Sequence, residues 1–212
     1  MFHDLSPSVL AGTNRDLVSA PRIDNLLSCH AGTQALAATA EADGPVPVLA
    51  LFDHEEVGSV SSSGAAGPLL LRTLRRFVAL ESRRMSGSLI LSVDGAHATH
   101  PNYVDRHDPE HPVHLNSGPV LKFNVAERYA TDAEGAGVVR LAAERVGVPL
   151  QSFVSRGDFP CGTTIGPVTA AATGVRTVDL GVAQLAMHSA RETCGSADPG
   201  QLQALLVELL SG

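Results

Sequence analysis

The chain has 212 residues, 44% of them hydrophobic and 17% charged, enough to bury a core as a single α/β domain spanning 1–212. A formal charge of -7 with no basic run argues against a nucleic-acid or anionic-membrane partner, since both reward clustered cations. Three cysteines, Cys29, Cys161 and Cys194, lack CxxC spacing and fit neither a disulfide framework nor a cysteine zinc site.

That cysteine usage points to a reducing cytoplasm. MFHDLSPSVLAG has neither the basic start nor the apolar run of a signal peptide, and no apolar stretch reaches membrane-spanning length, so a soluble cytoplasmic protein is expected.

Residues 25–43 carry apolar positions at helical spacing and stop at Gly44-Pro45, which predicts a helix. VPVLALF at 46–52 is a short continuous apolar run and predicts a buried strand. A long helix is expected over 64–84, ending in Arg83 and Arg84, where cations suit the negative end of the dipole. Strands follow at 88–93 and 120–125, a helix at 133–147, strands near 151–155 and at 176–181, and a helix at 200–210. The alternation predicts a mixed, largely parallel sheet flanked by helices. The Pro- and His-rich stretch 100–114 is the one long irregular segment, and loops of that length are usually functional or mobile.

Ligands of open α/β sheets sit beyond the carboxyl ends of the strands. The first predicted strand runs into LFDHEEVGS, with Asp53, His54, Glu55 and Glu56; the second runs into Asp94, His97 and His100. The strand at 176–181 leads toward Met187-His188-Ser189, and Asp24 precedes the first helix in PRIDNL. The HEEVG run is not a helical HExxH zinc site, because Gly58 stands where the second histidine belongs. Carboxylates and imidazoles spread over separate strand ends are what a two-metal hydrolase requires, and adjacent glutamates can divide into a ligand and a general base. Taken singly, Asp24 reads equally as a helix cap, Asp94 as a turn residue before Gly95, His188 as a partly buried histidine and Glu55-Glu56 as a solvated pair.

LFDHEEVGS, PRIDNL, DGAHATHPNY, GPVLKFNVAERYATD, PCGTTIGP and DLGVAQLAMHSARE, in colinear order, together resemble the aspartyl aminopeptidases, a family of zinc metallopeptidases. The resemblance implies that Asp24 bridges two zinc ions and that Glu55 is the general base. It implies Glu56 and His188 as ligands of one ion and Asp94 as a ligand of the other. The family releases N-terminal Asp or Glu from peptides. Lys122, the lone lysine of the chain, is then the expected cation for the substrate carboxylate, with a solvent-pointing strand-end lysine as the alternative. His97 and His100 are expected in the substrate pocket or hydrogen-bonded behind a metal-bound carboxylate.

Family members carry, ahead of the matched region, a stretch that holds the first metal-binding histidine, further catalytic-fold elements and an inserted assembly domain. The resemblance therefore implies one complete zinc site here and a second that lacks its histidine. It also implies either self-association as a homo-oligomer or pairing with a separately encoded N-terminal half. The alternative to an active enzyme is a truncated, non-catalytic metal-binding or interaction homologue. Ala183 and Ala186 stand where the family more usually has Pro and Ser, which should alter loop stiffness and leave the ligands in place.

Overall fold

The computed structural model describes residues 3–39, 45–77 and 87–212. Along these residues run β1 (Val9–Ala11), β2 (Leu17–Ala20), α1 (Ile23–Thr39), α2 (Leu69–Phe77), β3 (Leu89–Val93), β4 (Ala96–His97) and β5 (Val120–Phe123). They are followed by α3 (Ala133–Val146), β6 (Gln151–Val154), α4 (Ile165–Thr173), β7 (Arg176–Gly181), β8 (Ala183–Leu185), β9 (Glu192–Gly195) and α5 (Asp198–Ser211).

The strands form two sheets. The first has the order β3-β7-β5-β6, with β3 parallel to β7, β5 parallel to β6, and β7 antiparallel to β5. The second has the order β1-β2-β9-β8-β4 and is antiparallel except where β4 meets β8. The chain crosses between the sheets twice at neighbouring points, from β3 to β4 and from β7 to β8. Both functional loops, after β3 and after β8, therefore leave from this seam.

The main core is built where α1, α3 and α5 lie on these strands. Ala31 and Ala35 of α1, Leu202, Leu205 and Leu206 of α5, and Ala136, Val139 and Ala143 of α3 close on Leu121, Val178 and Leu180. Small residues on α3 let it approach closely: a Cβ on Gly135 would stand 2.5 Å from Val178 Cγ2. Asp132 caps this helix by accepting from Gly135 N at 2.6 Å, and Gly147, at φ 66°, closes its other end.

Two buried aspartates tie the layers together. Asp179 on β7 accepts from Ser92 Oγ on β3 at 2.6 Å, from Ala130 N at 2.6 Å and from the Thr164 hydroxyl that caps α4. Asp198, at the start of α5, accepts from Asn116 N and Gly118 N and fixes the turn that enters β5. A buried carboxylate is tolerable only when several donors replace its water, and both have them.

Three expectations need correction or trimming. Residues 46–52 form no strand and pair with none among the described residues, and Val46, Val48 and Leu51 are 81%, 50% and 53% exposed. The apolar run lacks, among the described residues, the neighbouring strand that a ladder needs. The helix expected over 64–84 begins only at Leu69, because Gly64 and Gly67 fold into tight turns against Ser59 and Ser61 and Pro68 then opens the helix. Residues 78–86 lie outside the described part, as do 40–44 at the end of the first predicted helix. The short α4 and the whole second sheet went unpredicted.

Candidate metal and catalytic site

Asp24, Glu56 and His188 come from three separate segments and meet at one point. His188 Nε2 lies 3.1 Å from Asp24 Oδ2 and 3.1 Å from Glu56 Oε2. One ligand atom from each of the three falls within 4.8 Å of the others, a spacing that admits a single metal ion. Asp24 is nearly buried, whereas Glu56 and His188 are open to the cavity, so ligand positions remain for water or substrate.

Each donor is held by local backbone design. His54 at φ 65° and Gly58 at φ 94° bracket the single helical turn Glu55–Val57, and the His54 Nδ1 contact to Ser61 Oγ at 2.8 Å fixes its approach. His188 itself sits at φ 66°, two residues after Ala186 at φ 58°. Left-handed conformation at non-glycine residues is costly and gathers at functional sites. At the other side, Asn25 Nδ2 donates to Val93 O at 2.8 Å and ties the Asp24 segment to the end of β3.

The residue that the sequence did not single out is Glu192. Only 2% exposed, it accepts from Asp24 N through Oε2 and from His188 N through Oε1, both at 2.8 Å. One carboxylate thus sets the spacing of two donors brought together from opposite ends of the chain. Glu192 lies four residues after His188, and no motif distinguishes it from a surface acid; only the fold reveals that it turns inward.

Asp94 follows β3, with Oδ1 accepting from Gly95 N at 2.9 Å and Oδ2 lying 3.9 Å from Lys122 Nζ. Its carboxylate faces Asp24. Burial first, then Asp94, Glu56 and Glu192, push the Asp24 carboxyl well above the usual range. The same causes, burial and then Asp94 and Glu56, push Glu55 up to about 7, against the opposing pull of Lys122 and His188. A cluster of carboxylates that resist ionising together is a site whose repulsion a divalent cation would relieve. The donor set of one imidazole and carboxylate oxygens suits zinc. Asp24 and Asp94 meet no third metal donor among the described residues.

Lys122 is 2% exposed, with Nζ over the Tyr129 ring at 5.4 Å, so the solvent-pointing alternative is excluded. Lys122 lines the same cavity, of about 300 Å³, as Asp24, Glu55, Glu56, Asp94 and His188. His97 lines it too, and its imidazole is held below the ordinary range by burial first and then by Lys122. His100 does not line this cavity; it faces a neighbouring one and stands 5.0 Å from the Tyr103 ring. Gly162 and Thr163 of PCGTTIGP complete the wall.

An α/β fold that gathers two carboxylates and an imidazole at one point offers a donor set suited to a divalent metal. The family model for the aminopeptidase I zinc metalloproteases (M18) matches residues 1–209, and the chain belongs to that family. A probable M18 family aminopeptidase 2 of Streptomyces coelicolor is 53% identical over 99% of this chain and 51% of its own length. Its namesake from Mycobacterium tuberculosis is 51% identical over 99% of the chain and 52% of its own length. The chain therefore spans about half the length of the curated relatives it matches. Among solved structures, the cryo-EM structure of the Ape4 and Nbr1 complex matches with a TM-score of 0.91 at 39% identity, covering 99% of this chain and 42% of that one. The Saccharomyces cerevisiae mApe1 dodecamer matches with a TM-score of 0.84 at 31% identity, covering 98% and 48%.

Proposed function

We propose that this chain carries the catalytic centre of a zinc aminopeptidase that releases N-terminal Asp or Glu from peptides. The observation that carries the reading is the meeting of Asp24, Glu56 and His188 at one point, with Glu55 lining the same cavity. Asp24, Glu56 and His188 would hold one zinc ion, and Asp24 with Asp94 part of a second site. A zinc ion there supplies Lewis acidity and lowers the pKa of nearby water toward neutrality.

Glu55 would take a proton from the attacking water and return it to the departing amine, the exchange a carboxylate beside the metal donors can carry out. Lys122, buried and fixed against Tyr129, offers its ammonium to the acidic side chain of the terminal residue. His97 lines the same cavity, its imidazole held below the ordinary range by burial and by Lys122.

The test is release of Asp or Glu from a short peptide with zinc present. Wild type should release them, and Glu55→Gln should fall by about 10²- to 10⁴-fold, the range of general-base removal. A Glu55→Gln variant as active as wild type would sink the reading. One observation favours a second reading, a metal-binding homologue without turnover: the Asp24 and Asp94 pair has no third donor among the described residues. Zinc binding without release by wild type would establish it.

The relatives suggest the assembly. One solved neighbour is a dodecamer, and we extend homo-oligomerisation to this chain, with pairing to a separate N-terminal half as the alternative. No described helix is long and apolar enough to cross a membrane. Three unpaired cysteines support a reducing, cytoplasmic setting.

A further inference from the structure

A second cavity of about 470 Å³ opens beside the metal and catalytic site, and the proposed chemistry leaves it unassigned. The irregular stretch 100–114 forms one side of it through His100, Tyr103, Arg106 and His107, and the segment from Phe153 to Gly162 forms the other. The two sides are joined: the Arg156 guanidinium donates to Asp105 O and pairs with both oxygens of Asp158. His97, Tyr129, Phe153 and Gly162 line both cavities, so the two adjoin.

The chemistry of this second space is aromatic. Tyr103, Tyr129, Phe153 and Phe159 all contribute to its wall, with Phe153 meeting His107 at 5.8 Å and Tyr129 at 6.1 Å in edge-on contacts. Its cations are already engaged. Arg156 is neutralised by Asp158 and stacked on Phe159, and Arg106 lies over the Tyr103 ring at 5.4 Å. Among the described residues, no Asp or Glu lines the cavity. Selection here must therefore act through size and apolar surface more than through charge.

Lys122 and Glu55 line the smaller cavity together, and the larger one adjoins it across His97, Tyr129, Phe153 and Gly162. A peptide held with its terminal residue at Lys122 and its scissile bond at Glu55 would therefore have its next residue beside the aromatic cavity. We infer that the aromatic cavity under the 100–114 loop is the subsite for the residue after the scissile bond, and that it favours a bulky aromatic side chain there. This rests on the aminopeptidase reading, and it gives the loop a role in recognising the departing peptide.

The test is calorimetric titration of the Glu55→Gln chain, loaded with zinc, with three ligands: aspartic acid amide, Asp-Gly amide and Asp-Phe amide. Asp-Phe amide should bind about tenfold tighter than Asp-Gly amide, from burial of one ring less the cost of ordering it. Tyr103→Ala, at a residue 52% exposed and so dispensable for folding, should narrow that preference to about threefold. A benzophenone in place of the Phe ring should cross-link within 100–107 or 153–162. Equal binding of the Gly and Phe ligands, or adducts only elsewhere, overturns the subsite and leaves the aminopeptidase reading standing if aspartic acid amide still binds. Failure of aspartic acid amide to bind overturns both.

Discussion

Glu192 shows how a single residue can set the spacing of two candidate metal donors. Its two oxygens each take one backbone N–H, from Asp24 and from His188, and a glutamine can reproduce only one of those bonds while turning an amide donor toward the other N–H. Glu192→Gln should therefore weaken zinc binding roughly tenfold, as loss of outer support does elsewhere, when measured by competition with a chelating dye. Unchanged affinity would show that the donors are held by their loops alone. Lys122 makes the complementary case for the substrate. Buried in the cavity wall with Asp94 at 3.9 Å, it is the cation that the proposed function assigns to an acidic side chain. Lys122→Met keeps the aliphatic stem and removes the charge, so the preference for Asp over Leu at the peptide N-terminus should fall by tenfold or more. Acidic selectivity that survives the change would shift the recognition role away from this residue.

The elements that the sequence announced are those with a complete local signal. Helix α3 has a capping Asp132, a periodic apolar face and a closing Gly147, and it forms within one residue of the expected end. Asp132 accepts from Gly135 N and pairs with Arg176, and the Gly135 bond first, then Arg176, hold its carboxyl below the usual range. Asp132→Ala should lower stability by about 1 kcal/mol in urea titrations. Because the folded pKa is depressed, the capping contribution is fully present above the ordinary carboxyl range. It is lost as pH falls through the folded value, so the wild-type advantage over the alanine variant should shrink in acid.

Where the signal was incomplete, the reading failed for identifiable reasons. Strands β4 and β8 are two and three residues long, too short for an alternation to register, and they exist because the chain steps between sheets at the seam. Helix α4 starts with Ile165-Gly166-Pro167, residues that disfavour helix singly, and is secured by the Thr164 cap and by Asp179. The site was legible as a set of strand-end carboxylates and imidazoles and as a family resemblance. Its spacing was not legible, since Glu192, the left-handed turns at His54 and His188, and the separation of His100 from the central cavity all depend on long-range folding.

At the scale of the whole molecule, the segment 45–53 is the feature that the fold leaves unsatisfied. It crosses α1, where Leu49 packs onto Gly32, and it presents Val46, Val48 and Leu51 outward with no ladder partner among the described residues. Leu26 on α1 is 59% exposed, and Val57 and Val60, on the loop that carries Glu55 and Glu56, are 78% and 86% exposed. A segment with no ladder partner among the described residues, flanked by exposed apolar side chains, is a candidate for strand addition. Burial of such a surface is favourable at about 25 cal/mol per Å², so the isolated chain should lower its free energy by association. Sedimentation velocity at tens of micromolar should show reversible self-association. Val46→Asp with Val48→Asp should weaken it at least tenfold, because two carboxylates would then have to be buried or kept apart. Since Glu55 and Glu56 follow the same segment, association should also stiffen the catalytic turn. The double variant should then lose zinc affinity along with assembly, whereas a monodisperse wild-type monomer with full zinc affinity would show that the edge needs no partner.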